Sequence, residues 1–477
     1  MFKQNIIKVI GLVAICASYT ACKIPQYSQR SENKNVPLAF NAATDTTNTG
    51  AVQWRNFFTD PHLISLIDTA LKNNQELNVT LQEIEISKNE IKAKKGELLP
   101  TLGYHAGAGL EKVGRYTSAG AGDASTDITP GKGVPDVLPD YAFGLQANWE
   151  ADIWHKLRNS KKAAVNRYLS TVEGKNFVVT NLIAEIANTY YELLAADNQL
   201  EIVKQNIALQ SNALELMKIQ KQATRVTELA VRKFEAEVLS SKSLEFDIQQ
   251  NITESENKIN FLLGRFPQTI DRDRNAFQTL VPPTVNAGLP AQLLSNRPDI
   301  KQAEYDLAAS KLDVQVAKAQ FYPALGISAN IGYQAFNPSY LLKTPESLIY
   351  SLAGDLAGPL INRNAIKAAY VTANAKQLQA VFNYEKSILN GYIEVANQLS
   401  NINNLQKSFD LKSRQVIALT QSIDISNDLF KASRADYFEV LMTQRDALQS
   451  KLELIETKKQ QLNAVVNIYH ALGGGWN

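Results

Sequence analysis

The stretch that decides the fold is YAFGLQANWEAD, residues 141–152, together with the helical pattern that follows it to residue 200. Within 141–152 apolar residues occupy every second position, which predicts a strand with one apolar and one polar face. Past Trp154 the apolar residues recur at helical spacing without a proline, and no break occurs until about Lys221. At a rise of about 1.5 Å per residue, such a helix would be on the order of 100 Å long. The sequence therefore predicts a long, narrow structure that starts from a strand.

The length and charge of the chain limit the class of protein. The 477 residues could hold two or three ordinary domains, but no shift in composition divides them. The charges nearly cancel, with 49 Lys and Arg against 47 Asp and Glu. A balanced surface argues against nucleic acid as the main partner.

The first 21 residues are typical of a secretory leader. Lys3 and Lys8 precede an apolar core at 9–17, and small residues precede Cys22. The position of Cys22 resembles a bacterial lipoprotein signal, in which this cysteine is lipidated; an ordinary signal peptide with a free thiol is the alternative. No apolar run elsewhere reaches the roughly 20 residues of a membrane helix. Any membrane crossing is therefore expected to be by strands.

The chain repeats one order of elements twice: helix, strand hairpin, long helix, turn, helix. AKKGELLPTLG at 93–103 is matched by AKAQFYPALG at 317–326, and alternation follows both stretches. We therefore predict two tandem repeats. The predicted segments are a leader at 1–21, a tether at 22–53, a first repeat at 54–263, a connector at 264–296, a second repeat at 297–472 and a tail at 473–477, with strand hairpins at about 98–152 and 323–357 and helix-to-helix turns at about 221–228 and 431–437.

Each predicted hairpin contains strands of about ten residues, the length that crosses an outer membrane when tilted. Open sheet edges are costly in lipid, and four strands cannot close a barrel, so several protomers must share one. Two protomers would give eight strands around a filled interior, whereas three would give twelve strands around a bore. We expect a homotrimer with a water-filled lumen, because the face opposite the apolar residues is small and polar, as in Gly103, Gly107, Gly144, Gln146, Gly326, Ser328 and Gly332.

Six motifs resemble those of the TolC-like outer membrane factors, and in particular the NodT-type lipoproteins of resistance-nodulation-division (RND) efflux systems. They are Trp54-Arg-Asn-Phe-Phe, Trp149-Glu-Ala-Asp-Ile-Trp, Arg297-Pro-Asp-Ile, Tyr322-Pro-Ala-Leu, Ala357-Gly-Pro-Leu and Ala471-Leu-Gly-Gly-Gly-Trp476. The resemblance implies an α+β membrane protein: a trimeric 12-stranded outer membrane β-barrel, four strands per protomer, continuing into a long periplasmic α-helical barrel. It also implies a periplasmic adaptor and an inner membrane RND pump as partners. The implied function is an exit duct for small molecules such as drugs or other toxic compounds.

Two departures from the family pattern affect the bends between strand and helix. His155 stands where the family usually has glycine, and Asn362-Arg363-Asn364 stands where it has a glycine pair. Asparagine tolerates the left-handed conformation that such a bend requires.

Catalytic and cofactor chemistry is not indicated by the sequence. The four histidines are not spaced as metal ligands, and the glycines at 473–475 follow a helix, which is typical of a helix end. We therefore expect no enzyme activity and no cofactor. Three acids near the strand ends are expected to be solvated lumen residues, with a role in cation passage as the alternative: Glu150, Asp152 and Asp355.

The turns between the long helices are the candidate gate, because the resemblance implies that they close the periplasmic mouth with an apolar ring and an Asp–Arg network. Phe438 and Arg445 match the family pattern, but Met442 and Ala230 stand where acids are common. The acids proposed as replacement partners for Arg445 are Glu439, Asp436 and Glu228. Arg434 and Arg225 complete the candidate gate residues.

Two other functions stay open at the level of the sequence. One is the outer membrane duct of a type I protein secretion system, which would use the same fold. The other is a lipid-anchored coiled-coil spacer without a pore, which the four alternating strands disfavour.

Overall fold

The computed structural model describes residues 30–40, 46–274, 276–358 and 363–476. The leader and Cys22 lie outside the described residues. Two compact units are present. Of the described residues, the first contains 30–31, 86–168 and 306–381, and the second contains 32–85, 169–305 and 382–476.

Helices make up most of the described chain. The α-helices are α1 (Trp54–Phe57), α2 (Pro61–Asn73), α3 (Gln75–Gly96), α4 (Ser118–Ser125), α5 (Lys156–Gln222), α6 (Glu228–Leu262), α7 (Ala276–Thr279), α8 (Leu293–Asn296), α9 (Pro298–Ala319), α10 (Asn364–Lys431) and α11 (Tyr437–Ala471). Short 3₁₀ helices are Thr49–Ala51, Pro290–Gln292 and Pro338–Tyr340. The strands are β1 (Thr101–Glu111), β2 (Asp127–Thr129), β3 (Lys132–Gly133), β4 (Leu138–Ala151), β5 (Ala324–Ala335) and β6 (Leu348–Ala357). The long helix expected past Trp154 is present as α5.

The first unit contains a four-stranded antiparallel sheet in the order β1-β4-β5-β6. Residues directly opposite each other across strands share a face of the sheet. One such row is Gly103, Gln146, Asn330 and Ser351, and the adjacent row on the other face is Tyr104, Leu145, Ile331 and Tyr350. The predicted strand at 141–152 is β4, and its predicted polar and apolar faces extend across all four strands.

The apolar face of this sheet is open in the single chain, where Tyr104 is 87% exposed and Leu352 is 79% exposed. Within the described part of the chain, the outer strands β1 and β6 are each paired on one side only. The sheet thus has two free edges and one unshielded apolar face.

The segment between β1 and β4 is rich in Gly, Ser, Asp and Pro, a composition that predicts an exposed loop. It contains α4 and the small β2–β3 hairpin. The Thr117 hydroxyl accepts a hydrogen bond from the Gly120 amide at 3.1 Å, which caps the start of α4. The capped helix therefore lies within a segment whose composition alone predicts a loop.

The core of the second unit lies where α2, α5, α6 and α11 pack together. Its fully buried residues include Leu63 and Ile67 of α2, Ile186 and Tyr190 of α5, and Ile259 of α6. No helix among the residues described is both long enough and apolar enough to cross a membrane.

Candidate functional site

The two turns between the long helices, residues 223–227 and 432–436, have the same backbone geometry. The amide of Arg225 donates to the carbonyl of Gln220, and the amide of Arg434 donates to that of Leu429. This hydrogen bond from a residue to the fifth before it is the Schellman closure of a helix. The residue with a left-handed backbone conformation in this motif is Thr224 at the first turn, with φ 58°, and Ser433 at the second, with φ 55°. The two residues are 209 positions apart.

The helices that leave the two turns are capped by different residues. Thr227 accepts from the Ala230 amide, whereas the carboxylate of Asp436 accepts from the amides of Phe438 and Glu439 at 2.7 and 3.0 Å. A negative charge at a helix N-terminus is stabilised by the free amides and the helix dipole. Asp436, predicted as a gate residue, therefore has a capping role in the chain.

The acid at the first turn, Glu228, is already paired. Its carboxylate contacts Lys221 and lies 2.8 Å from Nε of Arg232. The hydrogen bond from Lys221, followed by the charges of Lys221 and Arg232, lowers the pKa of Glu228 below its usual value. Glu228 therefore stays ionised at neutral pH in an ion-pair network of its own.

Arg445 lies nearest to an acid that the sequence analysis did not consider. Its Nε is 3.8 Å from Oδ1 of Asp446, and both side chains are about half exposed, at 53% and 52%. Arg225 and Arg434 are exposed on the turns. Pairing of Arg445 within the chain is thus weak and solvated, which leaves its guanidinium accessible to another chain.

Phe438 is 44% exposed and lies under the ammonium of Lys233, which is 4.9 Å from the ring centre. This cation–π contact joins α6 to α11. Apolar residues of α5, α6 and α11 form one buried cluster near these turns: Leu214, Met217, Val231, Phe234, Val238 and Leu441.

Ala230 replaces an acid common in the resembling family, and its burial explains the replacement. It is fully buried at the start of α6, next to the clustered Val231. An aspartate at this position would lose its hydration on burial. Position 230 thus contributes packing to the first turn, whereas the charges there belong to Lys221, Glu228 and Arg232.

The three acids near the strand ends have different environments. Glu150 lies 2.5 Å from Nζ of Lys156, and Asp355 is an exposed residue opposite Gly326. The carboxylate of Asp152 accepts from the amides of Leu157 and Arg158, both at 2.9 Å. Its side chain is only 5% exposed. This capping role replaces the solvated lumen position expected for Asp152.

His155 lies in the left-handed region at φ 58°. Its carbonyl accepts from the Asn159 amide, so it forms the bend between β4 and α5. A positive φ is unusual for a residue with a side chain, and glycine adopts it without strain. The chain thus keeps at His155 the backbone conformation for which the family pattern uses glycine.

The role of Arg297, whose side chain is 3% exposed, was not predicted from the sequence. The guanidinium donates to Glu394 and to the carbonyl of Ala471, both at 2.7 Å, and holds Asp299 through two further hydrogen bonds. Burial alone would lower the pKa of Arg297, but the carboxylates of Asp299 and Glu394 raise it above its ordinary value. The contact with Asp299 lies within the Arg-Pro-Asp motif and could be predicted from it. The contact with Glu394 could not, because Glu394 is 97 residues away in the sequence.

A second buried arginine, Arg272, has an equivalent role in the first half of the chain. Its side chain is 3% exposed and contacts Asp197 and Glu256. These ion pairs join the connector that follows α6 to α5, through Asp197, and to α6, through Glu256.

His470 lies close to the Arg297 network, where burial, with the Arg297 charge, lowers its pKa below the usual value. Its Nε2 is 2.5 Å from Oδ1 of Asn181.

Across the described ranges, no group of His, Cys, Asp and Glu residues is arranged to hold a metal ion.

Comparison with known proteins gives a family and a fold. The family described as outer membrane efflux protein matches residues 66–265 and 289–474. The chain is 28% identical over 424 residues to the pyoverdine export outer membrane protein OpmQ of Pseudomonas aeruginosa, covering 89% of this chain and 87% of that protein. It is 24% identical over 485 residues to the probable outer membrane lipoprotein SilC of Salmonella typhimurium, covering both chains completely.

Solved structures show the same fold. The open state of the Neisseria gonorrhoeae MtrE outer membrane channel matches with a TM-score of 0.81 at 23% identity, over 96% of this chain and 99% of that one. A structure of CusC matches with a TM-score of 0.80 at 23% identity, over 94% and 99%.

Proposed function

Because the chain belongs to the outer membrane efflux protein family, we propose that it is the exit duct of a tripartite pump and passes small molecules from the periplasm to the exterior. The family match confirms the resemblance predicted from the motifs, and with it an efflux function in the outer membrane. The assembly, the partners and the gate are parts of the proposal.

The observation that carries the proposal is the sheet with two free edges and two unlike faces. Backbone groups at a sheet edge cannot remain unpaired in lipid. Three copies satisfy them when β6 of each copy pairs with β1 of the next, which gives a 12-stranded barrel around a bore. Lipid then covers the face that carries Tyr104 and Leu352, while the row of Gly103 and Gln146 lines a water-filled lumen.

Matching helix lengths support two tandem repeats at 54–263 and 297–472, joined by a connector at 264–296. Helices α3 and α9 both have 22 residues, and α6 and α11 both have 35. Gly264 and Gly473, again 209 residues apart, both end their helices with a positive φ. In a trimer, the long helices of the six repeats form the periplasmic α-helical barrel.

The turns at 223–227 and 432–436 close the periplasmic end in this proposal, six of them in a trimer. Phe438 supplies apolar contact, and Arg445 supplies a guanidinium for an acid of a neighbouring protomer. Glu150 and Asp355 remain solvated lumen residues. A periplasmic adaptor and an inner membrane RND pump deliver the substrate.

The range of relatives supports small molecules as the cargo. Their names include pyoverdine export, toluene efflux and cation efflux. Such different cargoes are compatible with a wide duct that has no fixed chemical site. Lipidation at Cys22 is also proposed, and the lipoprotein name of SilC supports it.

Deletion of the gene in its own host tests the function. Dye accumulation and susceptibility to small toxic compounds should rise, and a plasmid copy of the wild type should reverse both changes. A control strain carries the chain without 98–152 and 323–357, which removes the barrel strands. If accumulation is unchanged by deletion while one protein disappears from the culture medium, the secretion alternative replaces efflux.

A further inference from the structure

A basic segment begins α5, directly after β4. Residues 156–167 contain five Lys and Arg and no Asp or Glu, although the whole chain is nearly neutral. Within this segment Arg158, Lys161 and Lys162 line one side of an open groove of about 550 Å³. We call these three residues the groove cations.

The floor of the groove is apolar. It consists of Leu98 after α3, Val165 of α5 and Leu312 of α9, all from the same chain and the same compact unit. Two of the three groove cations are available for a ligand. Arg158 lies near His155 and Asp152, whereas neither Lys161 nor Lys162 has an ion-pair partner within the described ranges.

The angular positions of the groove residues around the axis of α5 place the groove on the apolar side of the sheet. Lys156 pairs with Glu150, which shares its cross-strand row with Gly326 and Asp355 on the polar face. At about 100° per residue, the groove cations and Val165 lie about 140° to 240° around the helix axis from Lys156. They are therefore on the side opposite the polar face.

A hydrogen bond gives the same orientation independently. Trp149 belongs to the apolar face, in one row with Ile327. Its indole Nε1 donates to the carbonyl of Leu98 at 3.1 Å, and Leu98 lines the groove. The groove thus continues the apolar face at the end of the strands where α5 begins.

We propose that this groove binds an anionic phospholipid of the periplasmic leaflet, with the phosphate at Lys161 and Lys162 and an acyl chain over Leu98, Val165 and Leu312. This inference rests on the proposed function, since it requires the strands to cross the outer membrane. Lysines at a membrane surface attract anionic headgroups, by roughly a fivefold gain in affinity for each charge. The apolar floor beside the cations fits a lipid and not a free phosphate ion.

Native mass spectrometry of the full-length assembly in detergent, titrated with phosphatidylglycerol and with phosphatidylcholine of the same acyl chains, tests the site. The groove variant is Lys161→Gln with Lys162→Gln. Arg158 is left intact because it lies against the bend at His155. The control variant is Lys204→Gln with Lys242→Gln, two exposed lysines in the second unit that remove the same charge.

The wild type and the control should prefer phosphatidylglycerol, and the groove variant should bind it roughly 25-fold more weakly, at about fivefold for each lysine. Absence of a preference in the wild type, or an equal loss in the control, overturns the site. Impaired assembly of the groove variant also overturns it, because a second copy of the chain would then be the occupant. Bilayer conductance of the same samples separates the two proposals: conduction without lipid preference removes the lipid site and keeps the duct.

Discussion

The ammonium of Lys233 lies 4.9 Å from the centre of the Phe438 ring, which connects α6 of the first turn to α11 of the second. Phe234, next to Lys233, and Leu441, one turn after Phe438, both belong to the apolar cluster described above. Opening of the proposed gate has to move α6 relative to α11. Contacts of this kind contribute about 0.5 to 2 kcal/mol each, so a few of them can hold a two-state closure that is still reversible.

Truncation of the gate side chains should open the duct. Phe438→Ala and Arg445→Ala should each raise susceptibility to a large antibiotic such as vancomycin, because each removes a contact that holds the turns closed. The Arg414→Ala variant is the control for loss of an exposed arginine, because Arg414 lies within α10, outside the two turns. Equal susceptibility of all variants and the wild type, with the trimer intact, would place the gate elsewhere.

Removal of the buried guanidinium at Arg297 should destabilise the chain by about 3 kcal/mol, because it leaves Asp299, Glu394 and the Ala471 carbonyl without their shared donor. Arg297→Lys keeps the charge but loses the forked geometry of the guanidinium, so this variant should lose less stability than Arg297→Met but more than the control. Thermal unfolding in detergent measures the effect of Arg297→Met. The exposed Arg434→Met serves as the control and should change stability by less than about 0.5 kcal/mol. Equal melting of Arg297→Met and the control would refute a structural role for this network.

The sheet and the long helices were predictable because they depend on local periodicity. The faces of β4 follow from alternation, and the end of α5 near Lys221 follows from a break in helical spacing. Contacts distant in sequence gave no such signal. The pairing of Arg297 with Glu394 requires the fold itself, as does the burial of Ala230. Asp152 was misassigned because alternation gives the face of a residue but not the amides that its side chain meets.

Acidification should weaken the fold through His470. Burial lowers its pKa in the folded state below the ordinary value of about 6.5, so the unfolded chain binds the proton more readily. Stability should therefore fall as the pH drops below about 6.5, until the lowered folded pKa is reached, by at most about 1.4 kcal/mol per pH unit. The neighbouring charges are those of Arg297, Asp299 and Glu394.

Melting temperatures at pH 7.5 and 5.5 measure this effect. The wild type should lose more stability between these pH values than His470→Gln, which cannot be protonated. An equal loss in both proteins would assign the acid sensitivity to other groups.

Cys22→Ser should abolish incorporation of labelled fatty acid, because this cysteine is the proposed acceptor. Some trimer should still reach the outer membrane, since the proposed barrel supplies insertion by itself. Metabolic labelling and membrane fractionation measure the two effects, with Cys16→Ser as the control within the leader. Label that persists in the Cys22 variant would contradict the assignment.

The most direct measurement is the conductance of purified trimers in a planar bilayer, for the wild type and for the variant that carries both Phe438→Ala and Arg445→Ala. The account predicts a low resting conductance for the wild type and a large, stable conductance for the double variant. Absence of conductance in both, with cross-linking that shows intact trimers in the membrane, would contradict a continuous duct through the outer membrane.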